Sequence, residues 1–227
     1  MRCIVTCILL MAAVLGIKAQ DDPEYKMEIG GGVGLVNYLG DYNGNLLKNM
    51  QPMGTVLAKY RPNPWMAWTF SIGYGKLKGD ISGAETWMPE TEKLPQSFDN
   101  GLVDGGVRFE YNFWAYGTGR EYRGAKPWAP FLTLGVGISH ASLTDGSATD
   151  FNLPFGAGVK YKIGERLNLT GEWRIHFTGS DRLDGVEDPH GIKSSGLFKN
   201  TDCYSVLQLS LTYDIWAKCK TCNNDKD

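Results

Sequence analysis

Along residues 101–115, LVDGGVRFEYNFWAY, apolar and polar positions alternate over most of the segment. Val103, Val107, Phe109, Tyr111 and Phe113 fall on one side, and Asp104, Arg108, Glu110 and Asn112 on the other. A strand half-buried in a water-soluble core normally runs only about five or six residues. The same alternation recurs over 25–38, 53–61, 65–76, 130–139, 152–163, 166–178 and 203–216. In 65–76, Met66, Trp68, Phe70, Ile72 and Tyr74 oppose Ala67, Thr69, Ser71 and Gly73. In 166–178, Leu167, Leu169, Trp173, Ile175 and Phe177 oppose Asn168, Thr170, Glu172, Arg174 and His176.

Hydrocarbon offers a backbone amide no partner, so a sheet that spans a bilayer must close on itself. Its strands need about 9–11 residues, alternately facing lipid and lumen. The pattern therefore predicts an all-β, eight-stranded antiparallel transmembrane β-barrel over residues 20–216. Trp65, Trp114, Trp128 and Trp216 fall near one interface, as an aromatic girdle requires. With the N-terminus in the periplasm, the long links 39–52, 77–100, 140–151 and 179–202 lie outside. Pro62-Asn63-Pro64 and Gly164-Glu165 are tight periplasmic turns. The link 116–127 breaks this asymmetry: it is long, faces the periplasm and carries Arg120, Arg123 and Lys126. It reads either as a solvated loop or as a docking surface.

The polar face explains the charges in mid-strand. Glu28, Arg108, Glu110, Lys160, Glu172 and Arg174 point into a barrel whose interior is just wide enough for side chains to fill. Charges so placed must pair or suffer heavy desolvation. They are expected to form an ion-paired plug rather than the lining of a channel.

Composition agrees with a β-rich chain, with 29 Gly, 9 Phe, 7 Trp and 11 Tyr in 227 residues. The 23 basic and 25 acidic residues contain no basic run, so there is no footprint for a nucleic acid. Arg2, the apolar run 3–16 and Ala19 predict a signal peptide over 1–19; the run is too short for a membrane helix. Its removal leaves Cys203, Cys219 and Cys222, an odd number in an oxidising compartment. The periplasmic tail 217–227 holds Cys219 and Cys222, which pair with each other or with a partner; a disulfide is expected. Cys203 falls at the outer end of strand eight, across the membrane from both.

Catalytic chemistry has little support. His176 lies on the lumen face near the outer rim, followed by Ser180, Asp181 and Asp184. A histidine base beside a serine with a carboxylate behind it would suit a lipid hydrolase or acyltransferase. No spacing selects those partners, and a hydrogen-bonded lumen histidine is the plainer reading. No catalytic, metal or cofactor-binding residue is assigned.

Four stretches carry a resemblance: EIGGGVGLVNYLGD (28–41), RFEYNF (108–113), LPFGAGVKYKI (153–163) and GEWRIHFTGSDRLDGV (171–186). In these the chain resembles the small outer-membrane barrels of the Bacteroidetes, in particular the PorG family of the type IX secretion system. The resemblance implies a non-enzymatic barrel in outer-membrane lipid that anchors a periplasmic ring of PorK-type lipoprotein and PorN-type subunits. On that reading Arg120, Arg123 and Lys126 meet the ring, and Cys219 or Cys222 bonds to it covalently. The family's aspartate block maps onto Asp181 and Asp184, although many relatives have Asp-Asp where this chain has Asp184-Gly185. A rim enzyme and a passive structural barrel are the alternatives.

Overall fold

The computed structural model describes residues 25–40, 48–80, 97–117, 125–143, 146–179, 183 and 202–217. The expected signal peptide 1–19 and the tail beyond Ala217 lie outside them. Eight strands follow in chain order: β1 (Tyr25–Leu39), β2 (Gln51–Asn63), β3 (Met66–Asp80), β4 (Ser97–Asn112), β5 (Trp128–Leu143), β6 (Gly146–Lys162), β7 (Leu167–Thr178) and β8 (Cys203–Ala217). Each pairs antiparallel with its sequence neighbour, and β1 closes on β8 from Tyr25 opposite Ala217 to Leu39 opposite Cys203. No edge remains along this seam, so the backbone is satisfied without water.

The barrel is apolar outside and polar inside. Val33 is 71% exposed and Ile72 62%, whereas Arg108 is 2% and Glu110 0% exposed. Only a solvent of hydrocarbon makes that distribution stable. Tyrosines and tryptophans mark the ends of the apolar band. At the periplasmic end Trp114 stands edge-on to Trp128, with ring centroids 4.4 Å apart, and donates its indole N–H to the Trp128 carbonyl.

Periplasmic links are short where the strands are regular. β2 and β3 are joined through 64–65, and the Trp65 amide donates to the Asn63 side chain at 2.9 Å. The turn sits later than expected because a register shift between Tyr60 and Asn63 carries β2 past Pro62. A proline lacks the N–H a ladder uses and is tolerated at such an irregularity. The described ends of the link between β4 and β5 lie against the barrel. Tyr116 and Lys126 form a bridge, and the Tyr116 hydroxyl donates to Asn168 at 2.7 Å inside the barrel floor.

On the outer side the strands outrun the hydrocarbon. The expected loop 140–151 is instead the tip of a hairpin, whose ladder continues to Leu143 opposite Gly146. Its outward face turns polar there, and His140 Nδ1 meets Thr149 Oγ1 at 2.7 Å across the pair. β3 and β4 likewise continue to Asp80 opposite Ser97, with Lys78 and Asp99 paired at 3.1 Å. Once water replaces lipid, a strand can continue with polar residues on both faces.

Candidate functional site

Alternation in the strands aims six basic and five acidic side chains into the barrel among its buried groups: Lys59, Arg61, Arg108, Lys160, Lys162 and Arg174 against Glu28, Asp104, Glu110, Glu172 and Asp214; Asp202, just before β8, is buried as well. They stack in layers from the periplasm outward.

The floor centres on three carboxylates, Asp214, Glu28 and Glu110. Asp214 accepts from Arg61 Nη2 at 2.6 Å, Lys162 Nζ at 2.6 Å and Asn168 Nδ2 at 3.0 Å. Arg61 Nε also lies 3.2 Å from Glu28, whose second oxygen accepts from Thr212 at 2.7 Å. Glu110 is held by Lys160, by Thr69 and by Lys59 at 3.2 Å. The Lys160 ammonium stands 4.7 Å over the Phe131 ring, which gives it a second favourable contact in the absence of water.

Two arginines share Glu172 in the middle layer. Arg174 donates to it at 2.7 Å and to Gln208 Oε1 at 2.9 Å. Arg108 approaches Glu172 at 3.7 Å and donates to Ser71 at 2.7 Å. Room for them comes from glycines directly across the ladder. Arg108 lies opposite Gly135 and Arg174 opposite Gly156. A Cβ at either glycine would stand 2.7 Å from Arg108 Cγ or 2.9 Å from Arg174 Cγ.

Above these, Asp104 accepts from Tyr204 at 2.7 Å and Asn152 at 2.9 Å, and lies 3.6 Å from His176 Nδ1. The His176 and Tyr204 rings stack at 4.4 Å. An apolar cap closes the outer mouth, built from Val36, Tyr38, Met53, Leu77, Leu102, Ala141, Leu183, Tyr204 and Val206. Leu183, from the β7–β8 link, is fully buried in it. Its amide donates to Asp202 at 2.8 Å, and its carbonyl accepts from Asn100 at 2.8 Å.

The structure thus brings Glu28, Arg108, Glu110, Lys160, Glu172 and Arg174 into one lumen, but as members of a larger network. Lys59, Arg61, Asp104, Lys162 and Asp214, also on the polar faces of the strands, complete it. Lys126 is not in the lumen; its ammonium lies 4.7 Å from the Trp114 ring at the periplasmic rim. Arg120, Arg123, Cys219 and Cys222 lie outside the described residues, as do Ser180, Asp181 and Asp184. His176 has Tyr204 stacked on it and Asp104 beside it. The nearby Ser139 hydroxyl is engaged by Tyr204 at 2.8 Å and Asn152 at 2.6 Å, not by the imidazole. Among the described residues no group of three or more His, Cys, Asp or Glu side chains could hold a metal ion. The expected disulfide is corrected: none is present among the described residues, where Cys203 remains a thiol.

A family model described as an outer membrane protein beta-barrel domain matches residues 7–213. No curated protein matches the chain. The barrel is similar in fold to neisserial surface protein A, at 14% identity and a TM-score of 0.54, over 83% of this chain and 97% of that one. It also aligns with the N-terminal β-barrel domain of Pseudomonas aeruginosa OprF, at 12% identity and a TM-score of 0.44, over 86% of this chain and 100% of that domain. Ail, the attachment invasion locus protein of Yersinia pestis, aligns at 14% identity and a TM-score of 0.46, over 85% and 99% of the two chains. The family match and the fold likeness to neisserial surface protein A overturn the expected role as a type IX secretion anchor. The family matched is that of outer-membrane barrels in general, and the fold likeness is to a surface-protein barrel.

Proposed function

Because this chain belongs to the outer membrane protein β-barrel domain family, we propose that it serves as a sealed, non-catalytic structural barrel that carries its outer hairpins beyond the lipid of the outer membrane. The observation that supports this reading best is the filled lumen. Charged layers anchored by Asp214, Glu110 and Glu172 occupy its lower and middle parts, and the apolar cap around Leu183 closes its mouth. A conducting pore keeps a hydrated path; here the lumen-facing side chains bond to one another across it. Tyr116 covers the floor from the periplasmic side.

Planar-bilayer recording of the folded barrel tests the proposal. The parent is expected to show no unitary steps. A variant with Arg108→Ala and Arg174→Ala, which empties the middle layer over Gly135 and Gly156, is expected to leak small ions and serves as the positive control. Stepwise conductance of the parent protein would overturn the sealed-barrel reading.

A further inference from the structure

One region of the outward face is not a smooth apolar wall. From Leu169 on β7 across β8, β1, β2 and β3 to Val103 on β4 it sinks into an open groove of about 870 Å³. Gly31, on β1, sits between Leu211 and Val56, and Gly54, on β2, between Val33 and Tyr74. Both glycines face outward and supply the floor. Val33, Val56, Ile72 and Tyr74, the walls, are among the most exposed apolar side chains of the molecule.

The groove has a direction. Gly54 lies near the outer start of β2, and Tyr74 in the outer half of β3. Two residues further out on the same face of β3 stands Lys76, and two further Lys78, with side chains 54% and 41% exposed. Asp99 lies 3.8 Å from Lys76 and 3.1 Å from Lys78, so two exposed ammonium groups share one contacting carboxylate, and Asp80 follows two residues further out on the same face. A strand rises about 3.4 Å per residue, which places the ammonium groups where the acyl region gives way to headgroups.

We propose that this groove is a lipid site: it seats one acyl chain of an outer-leaflet lipid whose phosphorylated headgroup is held by Lys76 and Lys78. At this depth the glycine floor offers an acyl chain a closer approach than the leucine- and phenylalanine-covered faces of β5 and β6 do. Mobile ammonium donors with one shared counter-charge suit a phosphate, which competes with Asp99 for them. The inference rests on the reading of the chain as an outer-membrane barrel, yet it is independent of whether the lumen is sealed.

The test is native mass spectrometry of the barrel refolded with a synthetic phosphorylated, saturated glycolipid, with the unphosphorylated analogue of identical acyl chains in parallel. The parent is expected to retain one phosphorylated lipid, and the analogue at least about tenfold less. Gly54→Phe fills the groove, and a Cβ at Gly54 meets nothing within 4 Å, so the backbone there has room for a side chain. It is expected to lose the lipid while keeping the unheated gel mobility of a folded barrel. Lys76→Gln with Lys78→Gln is expected to bind both lipids equally and weakly. Retention by the Gly54→Phe variant at the parental level, or no preference for phosphate in the parent, overturns the proposal. Neither result bears on conductance.

Discussion

Arg61 and Asp214 meet at 2.6 Å inside the barrel although their strands, β2 and β8, are separated by β1. Through Lys162 and Asn168 the same carboxylate reaches β6 and β7, and through Arg61 the contact extends to Glu28 on β1. One side chain therefore ties five strands together at the periplasmic floor. Asp214→Ala leaves two buried cations without this anion, and removal of one partner of a buried pair costs about 3–5 kcal/mol. Urea unfolding from lipid vesicles is expected to show a loss of that size. A loss below about 1 kcal/mol would mean that water already serves these cations.

Two glycines provide an opposite pair of outcomes for the same substitution. At Gly135 a Cβ would lie 2.7 Å from Arg108 Cγ and 2.8 Å from its Cα, with backbone close by as well. Gly135→Val must push Arg108 off Ser71 and Glu172, an overpacking that costs about 1–3 kcal/mol. At Gly54 nothing lies within 4 Å, and the side chain would point into lipid. Gly54→Val is expected to be neutral or to stabilise by about 0.4–1 kcal/mol through the unfolded chain. Equal effects at the two positions would show that strand propensity, not lumen space, governs them.

The middles of the strands were legible because lipid imposes a strict two-residue repeat on their outer faces. Their outer ends were not. Beyond Tyr74 the outward face of β3 reads Lys76 and Lys78, and beyond Ile138 that of β5 reads His140 and Ser142, which in isolation resemble loop residues. The lumen shows a similar limit. Alternation sets which way Arg108 or Glu172 points, but not the height at which it sits. Lys59 and Arg61 end a short apolar run and look like rim residues when read alone. Register brings them down to the level of Met27 and Trp68, where they must find Glu110, Glu28 and Asp214. The cap was out of reach, since Tyr38 and Asp202 are 164 residues apart in the chain.

That cap holds a latch. Asp202 accepts from the Tyr38 hydroxyl at 2.5 Å and from the Leu183 amide at 2.8 Å, so one carboxylate ties the β7–β8 link to β1. A hydrogen bond to a charged group contributes about 1.5–3 kcal/mol. Asp202→Ala is therefore expected to speed hydrogen exchange at the Leu183 amide by about tenfold to a hundredfold, while the β1–β8 ladder amides stay protected. Unchanged exchange at Leu183 would show that apolar packing alone seats the link.

His176 separates a structural histidine from a chemical one. Among the described residues neither ring nitrogen has a hydrogen-bond partner, Asp104 stands off at 3.6 Å, and the ring stacks on Tyr204 at 4.4 Å. The packing of the ring, rather than its nitrogens, is what the site uses. His176→Phe keeps the stack and removes two buried unsatisfied nitrogens, so stability should stay within about 1 kcal/mol of the parent or rise. His176→Ala removes the stack and opens a cavity, with an expected loss of about 2–4 kcal/mol. Both are read from urea midpoints in the same vesicles, with lipid and peptide turnover assayed alongside. A phenylalanine variant that folds normally with no change in turnover places His176 in the packing. One that folds normally but abolishes a turnover seen in the parent would return the imidazole to catalysis and overturn the non-catalytic reading.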